Sequence, residues 1–270
     1  MRATSEAGGG TMDVILEHDG PMPPAPKPPG DLVRLARVHK YYGGGLSGVH
    51  ALDGVELQIG EAEMVAICGP SGSGKTTLLN LIGMLDHATE GSIVIAKLLI
   101  ARLPEQARAD LRNEMMGFVF QAFTLIPVLT ARENVLLPLM LRESLTRKAL
   151  RAANARAGDL LNQLGLASHA DTYPPRLDPS QSQRVAIARA LMTRPRLVLA
   201  DEPTSRLDSA SIRLVMDLFV QQQNEHGTTF IIATRDQRQL GRSTRTLQLQ
   251  EGRLHVALGD PERQPFRVRL

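Results

Sequence analysis

EMVAICGPSGSGKTTLLNLIGML, residues 63–85, is the stretch on which the fold turns. EMVAIC is a short, continuous apolar run, the pattern of a strand buried on both faces. GPSGSGKTT, residues 69–77, meets G-x-x-x-x-G-K-[ST] in full. TTLLNLIGML then spaces its apolar residues as a helix does. A strand, a glycine loop and a helix in that order make a cradle for a phosphate chain. Glycines let backbone N–H groups turn inward, and the helix N-terminus adds positive potential at the same place. Gly69, Gly72 and Gly74 shape the cradle, with Ser71 and Ser73 between them. Lys75 reaches the terminal phosphates, Thr76 offers its hydroxyl to magnesium, and Thr77 follows in the first helical turn. These residues predict a site for a nucleoside triphosphate.

A second signal lies downstream in RLVLADEPTSRLD, residues 196–208, an apolar strand that ends in two acids. A carboxylate at the end of a buried strand beside a phosphate loop is placed to hold magnesium, and the next one to polarise an attacking water. Asp201 takes the metal role and Glu202 the role of the base. An acidic strand end in solvent is the bland alternative, and the phosphate loop makes it the weaker one.

Further outward, short β-type runs (LVRLARV, ALDGVELQI, GSIVIA, MGFVF) precede helical stretches (ARENVLLPLMLRE, TRKALRAANARAGDLLNQLGL). Strand-like RLVLA, TTFIIA and TRTLQLQ return afterwards, with the helical ASIRLVMDLFVQQQNE among them. Strands on both sides of a helical block predict an α/β core with a helical insertion over roughly residues 122–190. Residues 1–30, rich in Gly and Pro, read as a disordered or extended arm, and residues 257–270 as a tail. At 270 residues and 43% apolar content the chain has ample material for a core. Its longest apolar runs are far shorter than the eighteen or more residues that would span a bilayer. One cysteine, Cys68, and no C-x-x-C pair leave no internal disulfide or zinc pattern, which points to a reducing compartment. A formal charge of +3 gives no reason to expect a nucleic-acid partner.

Taken together, the phosphate loop, GFVFQ, a helical block, LDPSQSQR and the DE strand resemble, over residues 31–256, the ATP-binding cassette (ABC) transporter ATPases. GFVFQAFTLIPVLTARENVLLPL, residues 117–139, is most similar to the lipoprotein-releasing and macrolide-export class, the LolD and MacB type. The resemblance implies a P-loop NTPase core, an antiparallel β subdomain and an inserted helical subdomain, with ATP and Mg2+ as ligands. It implies that Tyr42 stacks on adenine, although Tyr41 stands adjacent, and that Gln121 contacts magnesium and water. It implies a homodimer or heterodimer of ATPase subunits, with Asp208 near the partner. An integral-membrane permease of the FtsX-like or MacB-like type is also implied, with the chain peripheral on the cytoplasmic face of the plasma membrane. Phe123, Leu125, Ile126, Val128 and Leu129 are candidates to line the groove toward that permease. A soluble ABC ATPase of DNA repair or translation would show zinc-type cysteine clusters, a long coiled-coil insertion or duplicated cassettes, and the sequence has none of these.

Two departures from the family stand out. Where relatives carry Leu-Ser-Gly-Gly-Gln to cap the partner's γ-phosphate, this chain has Leu177, Asp178, Pro179, Ser180 and Gln181. Pro179 removes an N–H donor. Asp178 brings a carboxylate toward a phosphate, and two unit charges about 4 Å apart at an effective dielectric of about 20 repel by about 4 kcal/mol. DPSQ remains a good helix start, with Asp as N-cap and Pro at the first helical position. After the last core strand the family's histidine is replaced by Arg235. Ser205 and Lys97 stand where relatives commonly have glycine. These changes raise a second expectation, an ATP-binding regulatory subunit with little hydrolysis of its own. They also suggest that Asp178 and Arg235 of facing subunits pair across the interface.

Overall fold

The computed structural model describes residues 30–43, 48–142, 146–235 and 243–256. The Gly- and Pro-rich arm, apart from Gly30, and the 257–270 tail lie outside the described residues. Two sheets organise the rest. Strands β1 (Asp31–Tyr42), β2 (Val49–Gly60), β4 (Glu90–Ile95) and β5 (Leu98–Leu99) form an antiparallel sheet in the order β2-β1-β4-β5. Strands β3 (Met64–Cys68), β6 (Met116–Val119), β7 (Leu197–Asp201), β8 (Thr229–Thr234), β9 (Arg245–Gln250) and β10 (Arg253–Val256) form the second, ordered β10-β9-β3-β8-β7-β6. Only the β9–β10 pair is antiparallel; the β9, β3, β8, β7 and β6 neighbours run parallel.

The continuous apolar runs of β3, β7 and β8 follow from burial on both faces. Along β3, Met64, Ala66 and Cys68 face one core, and Val65 and Ile67 face the other. The first core is filled by α3 (Ala131–Met140), α4 (Arg147–Gln163), α5 (Pro179–Leu191) and α6 (Ser209–His226). The second takes α1 (Lys75–Ile82) and the inner face of the antiparallel sheet. The expected α/β class, with an antiparallel β layer, is what the chain adopts. Helix α2 (Glu105–Met115) was not legible, because of its residues only Met115 is buried and its apolar row, Ala107, Leu111 and Met115, is thin among charged residues.

The β4–β5 turn explains one sequence departure. Ala96 and Lys97 adopt φ 47° and 69°, the left-handed pair of a two-residue hairpin turn that glycine or asparagine favours. Lys97 therefore occupies a glycine-like backbone at a conformational cost.

Candidate active site

Parallel pairing brings the ends of β3, β7 and β8 to one edge, where Cys68 lies level with Thr234 and Asp201 with Ala233. Ligands of α/β sheets settle at such carboxyl ends. Between β3 and α1 the loop is forced by its glycines. Gly74 caps α1 at φ 101°, and a Cβ there would lie 2.3 Å from the Ala51 carbonyl oxygen. Gly72, at φ 78°, has open space where a Cβ would project. No side chain caps α1, so its first N–H groups are left for a ligand.

Lys75 opens α1 and curls its ammonium into the loop. Its Nζ donates to the carbonyls of Gly69 (2.7 Å) and Pro70 (2.8 Å). Burial pushes its pKa below the ordinary lysine value, against the pull of Glu202 and Asp201. Next along the helix, Thr76 Oγ1 donates to Asp201 Oδ2 at 2.6 Å. Two hard oxygen donors, one anionic, side by side at a phosphate loop fit Mg2+, which takes one or two protein oxygens and completes its shell with phosphate and water. Among the described residues no group of three or more His, Cys, Asp or Glu is arranged to hold a metal.

Glu202 is buried and strained, at φ 51°, with its N–H donated to the Ala233 carbonyl at 2.9 Å. A left-handed backbone at a non-glycine residue persists where its surroundings over-determine it. Arg235, at the end of β8, sets its Nε 3.0 Å from Glu202 Oε1. Arg235 thus reaches inward rather than pointing wholly into solvent, although its side chain remains 55% exposed.

At the far end of the cleft, Tyr42 rather than Tyr41 lines the wall. Tyr42 OH donates to Asp86 Oδ2 at 2.8 Å. Burial, followed by that hydrogen bond, raises the phenol above its ordinary pKa. Tyr41 instead pairs its hydroxyl with His39 Nδ1 and packs at a tilt against His50. Tyr42, Ser71, Gly72, Ser73, Gly74, Lys75, Thr76, Thr77, Gln121, Asp201, Glu202 and Arg235 thus line one cleft of about 310 Å3; Gly69 does not line it and meets the site through its carbonyl, which accepts from Lys75. Val49 and Ala51 complete the wall and were missed, since nothing in the spacing of the β2 run marks which of its residues faces a ligand.

The segment after Gln121 is held from two sides. Arg189 of α5 donates to the carbonyls of Thr124 (2.7 Å) and Phe123 (3.0 Å), and the Arg206 guanidinium lies 4.9 Å from the Phe123 ring centroid. Leu125 packs into the first core, while Ile126 and Val128 are exposed.

The remaining candidates stand apart from the cleft. Asp178 is the N-cap of α5, accepting from the Gln181 N–H at 2.7 Å while Gln181 Oε1 accepts from the Asp178 N–H at 3.0 Å. Ser180 Oγ is buried with no hydrogen-bond partner among the described residues. Asp208 caps α6, and the Ser211 N–H holds its carboxyl below the usual range.

Comparison with known proteins agrees with this geometry. The family model described as ABC transporter matches residues 52–205. The lipoprotein-releasing system ATP-binding protein LolD of Legionella pneumophila (strain Paris) is 43% identical over 220 residues, 82% of this chain and 95% of the relative. This chain belongs to the ABC transporter family.

Within that family it is an ABC-type ATPase of the LolD-like class. LolD 1 of Caulobacter vibrioides is 41% identical over 231 residues, covering 86% of this chain and 97% of that one. Among solved structures, a dimeric ATP-binding cassette in a post-hydrolysis state, bound to ADP and Pi, superposes with a TM-score of 0.78 at 39% identity, over 84% of this chain and all of that one. A component of an ABC transporter complex from Clostridium perfringens gives a TM-score of 0.72 at 27% identity, over 84% of this chain and 87% of that one. No described helix of this ABC chain is long and apolar enough to cross a membrane.

Proposed function

We propose that the chain is the Mg-ATP-hydrolysing subunit of an export system, dimerising around nucleotide and driving a separate permease of the FtsX-like or MacB-like type. The observation that carries this reading is the convergence of Lys75, Thr76, Asp201 and Glu202 on one cleft. Thr76 and Asp201 would hold Mg2+, with Gln121 at the rim. The metal, when bound, neutralises charge on the phosphates. Lys75 exchanges its loop carbonyls for the terminal phosphates, and its charge answers the one that develops there. Glu202 accepts a hydrogen bond from the attacking water and orients it in line with the γ-phosphate. Tyr42 offers its ring to adenine. Asp178, Ser180, Gln181 and Asp208 face a second subunit. Arg235 stands at the switch position, where its fork of donors can pass from Glu202 to a phosphate.

A subunit that binds without hydrolysing is the weaker reading, because the chain keeps its whole Lys-Thr-Asp-Glu set. Likeness to LolD supports lipoprotein release as the task and the cytoplasmic membrane face as the place. The test uses the Glu202→Gln chain, stalled with Mg-ATP, as bait on detergent-solubilised membranes of the source cells. Recovery of an integral-membrane permease with the chain is expected; recovery of the bait alone, with ATP bound, contradicts the transport reading.

A further inference from the structure

Tyr42 is the last residue of β1 and 40% exposed, a position where an aromatic ring would ordinarily swing between rotamers. Here its hydroxyl and one face of its ring are both held, and the groups that hold them are themselves tied together. Its hydroxyl donates to Asp86 Oδ2 at 2.8 Å. The other carboxylate oxygen, Oδ1, accepts from Lys40 Nζ and from the His87 N–H, each at 2.7 Å. Lys40 Nζ also donates to the His87 carbonyl at 2.8 Å and lies 4.7 Å from the Tyr42 ring centroid. Lys40 is itself buried at 9% exposure, which is uncommon for a lysine and is explained by this full set of partners. Burial works against ionisation of Asp86, yet the hydrogen bonds from Lys40, Tyr42 and His87 bring its carboxyl below the ordinary value. One face of the ring is thus taken by an ammonium through cation–π attraction, and the tyrosine lines the cleft.

We propose that Asp86 and Lys40 are positioning residues that lock the Tyr42 ring as a pre-set stacking platform for the nucleobase. The proposal rests on the reading of Tyr42 as the base-stacking residue. Its physical content is entropic: a ring already held in its bound orientation does not have to be ordered when the nucleotide arrives. An aromatic face does not read hydrogen bonds, so the platform serves adenine and guanine alike. It contributes nothing to a ligand that has phosphates and no base.

The experiment is equilibrium binding of Mg-ATP, Mg-GTP and Mg-tripolyphosphate to the full chain and to Asp86→Ala, Asp86→Asn, Tyr42→Phe and Tyr42→Ala. Asp86→Ala and Tyr42→Phe should each weaken ATP and GTP by about two- to tenfold, the range for one ordered side chain, and leave tripolyphosphate unchanged. Combining Asp86→Ala with Tyr42→Phe should cost no more than Asp86→Ala alone, since Asp86→Ala already removes the hydrogen bond that Tyr42→Phe breaks. Tyr42→Phe keeps the ring and guards against an Asp86→Ala chain that folds poorly. If Tyr42→Ala weakens ATP while Asp86→Ala, Asp86→Asn and Tyr42→Phe do not, the positioning role is wrong and the stacking role stands. If Tyr42→Ala leaves ATP affinity intact, the stacking role falls and the proposal with it. An equal loss for tripolyphosphate would place Asp86 in support of the phosphate loop and overturn the proposal.

Discussion

Helix α1 begins at the cleft and helix α5 at the segment proposed to face a second subunit, and they treat their first N–H groups in opposite ways. Helix α1 starts behind Gly74 with no side-chain cap and with Lys75 turned back onto loop carbonyls. Its donors and its cation are held in reserve for a ligand. Helix α5 starts with Asp178 and Gln181 closing a reciprocal capping box and with Pro179 at its first position. The N–H of Gln181 in its first turn is taken within the chain, and the group that takes it is anionic. A helix start that stabilises itself with a carboxylate is a poor receiver for a phosphate. On the proposed two-subunit arrangement, the chain would hold its own nucleotide well and offer less to the nucleotide of a partner. The expectation that Asp178 pairs with Arg235 across an interface meets the same fact: in the single chain each already has a partner, Gln181 for one and Glu202 for the other.

The largest gain in turnover should come from undoing this difference at α5. Asp178→Ser keeps an N-cap and removes the charge, and it should raise Mg-ATP turnover by about tenfold, equivalent to about 1.4 kcal/mol of barrier. Steady-state hydrolysis at fixed protein concentration reads this directly, and a fall in rate would mean that the carboxylate assists closure. A smaller change is expected on the other side. Arg235→His should make turnover depend on pH between about 6 and 7, because histidine changes charge there and arginine does not. A profile that superimposes on the parent's would remove Arg235 from contact with the reacting groups.

Much of this comparison was legible in the sequence because its parts are local. The phosphate loop, the acidic pair at the end of β7 and the Asp-Pro start of α5 are each contiguous; the first two follow from residue type and spacing, while the third read as a helix start whose link to a phosphate came from the family resemblance. The choice between Tyr41 and Tyr42 was not legible, since it depends on which way the end of β1 turns each ring against Asp86 and His50. Nor were Arg189 and Arg206, which clamp the segment after Gln121 from positions 65 or more residues away for Arg189 and through a ring contact for Arg206. Helix α2 escaped because its apolar row is thin and only Met115 of it is fully buried. Lys97 looked like a missing glycine, and the left-handed backbone at that position gives the reason. Lys97→Gly should accordingly stabilise the fold by about 1 kcal/mol, measurable by chemical denaturation and independent of nucleotide. It is the smallest effect here, and it lies in the β layer away from both helix starts.

The most direct test of the intact cleft is Mg-ATP hydrolysis by the purified chain beside Glu202→Gln, with nucleotide affinity measured on both. Retained binding with a loss of turnover of about a hundredfold or more is the predicted result, the loss expected for a positioned general base. Equal turnover in the two chains would contradict the account, because the hydrolysis observed would then not arise from the cleft that Lys75, Thr76, Asp201 and Glu202 share.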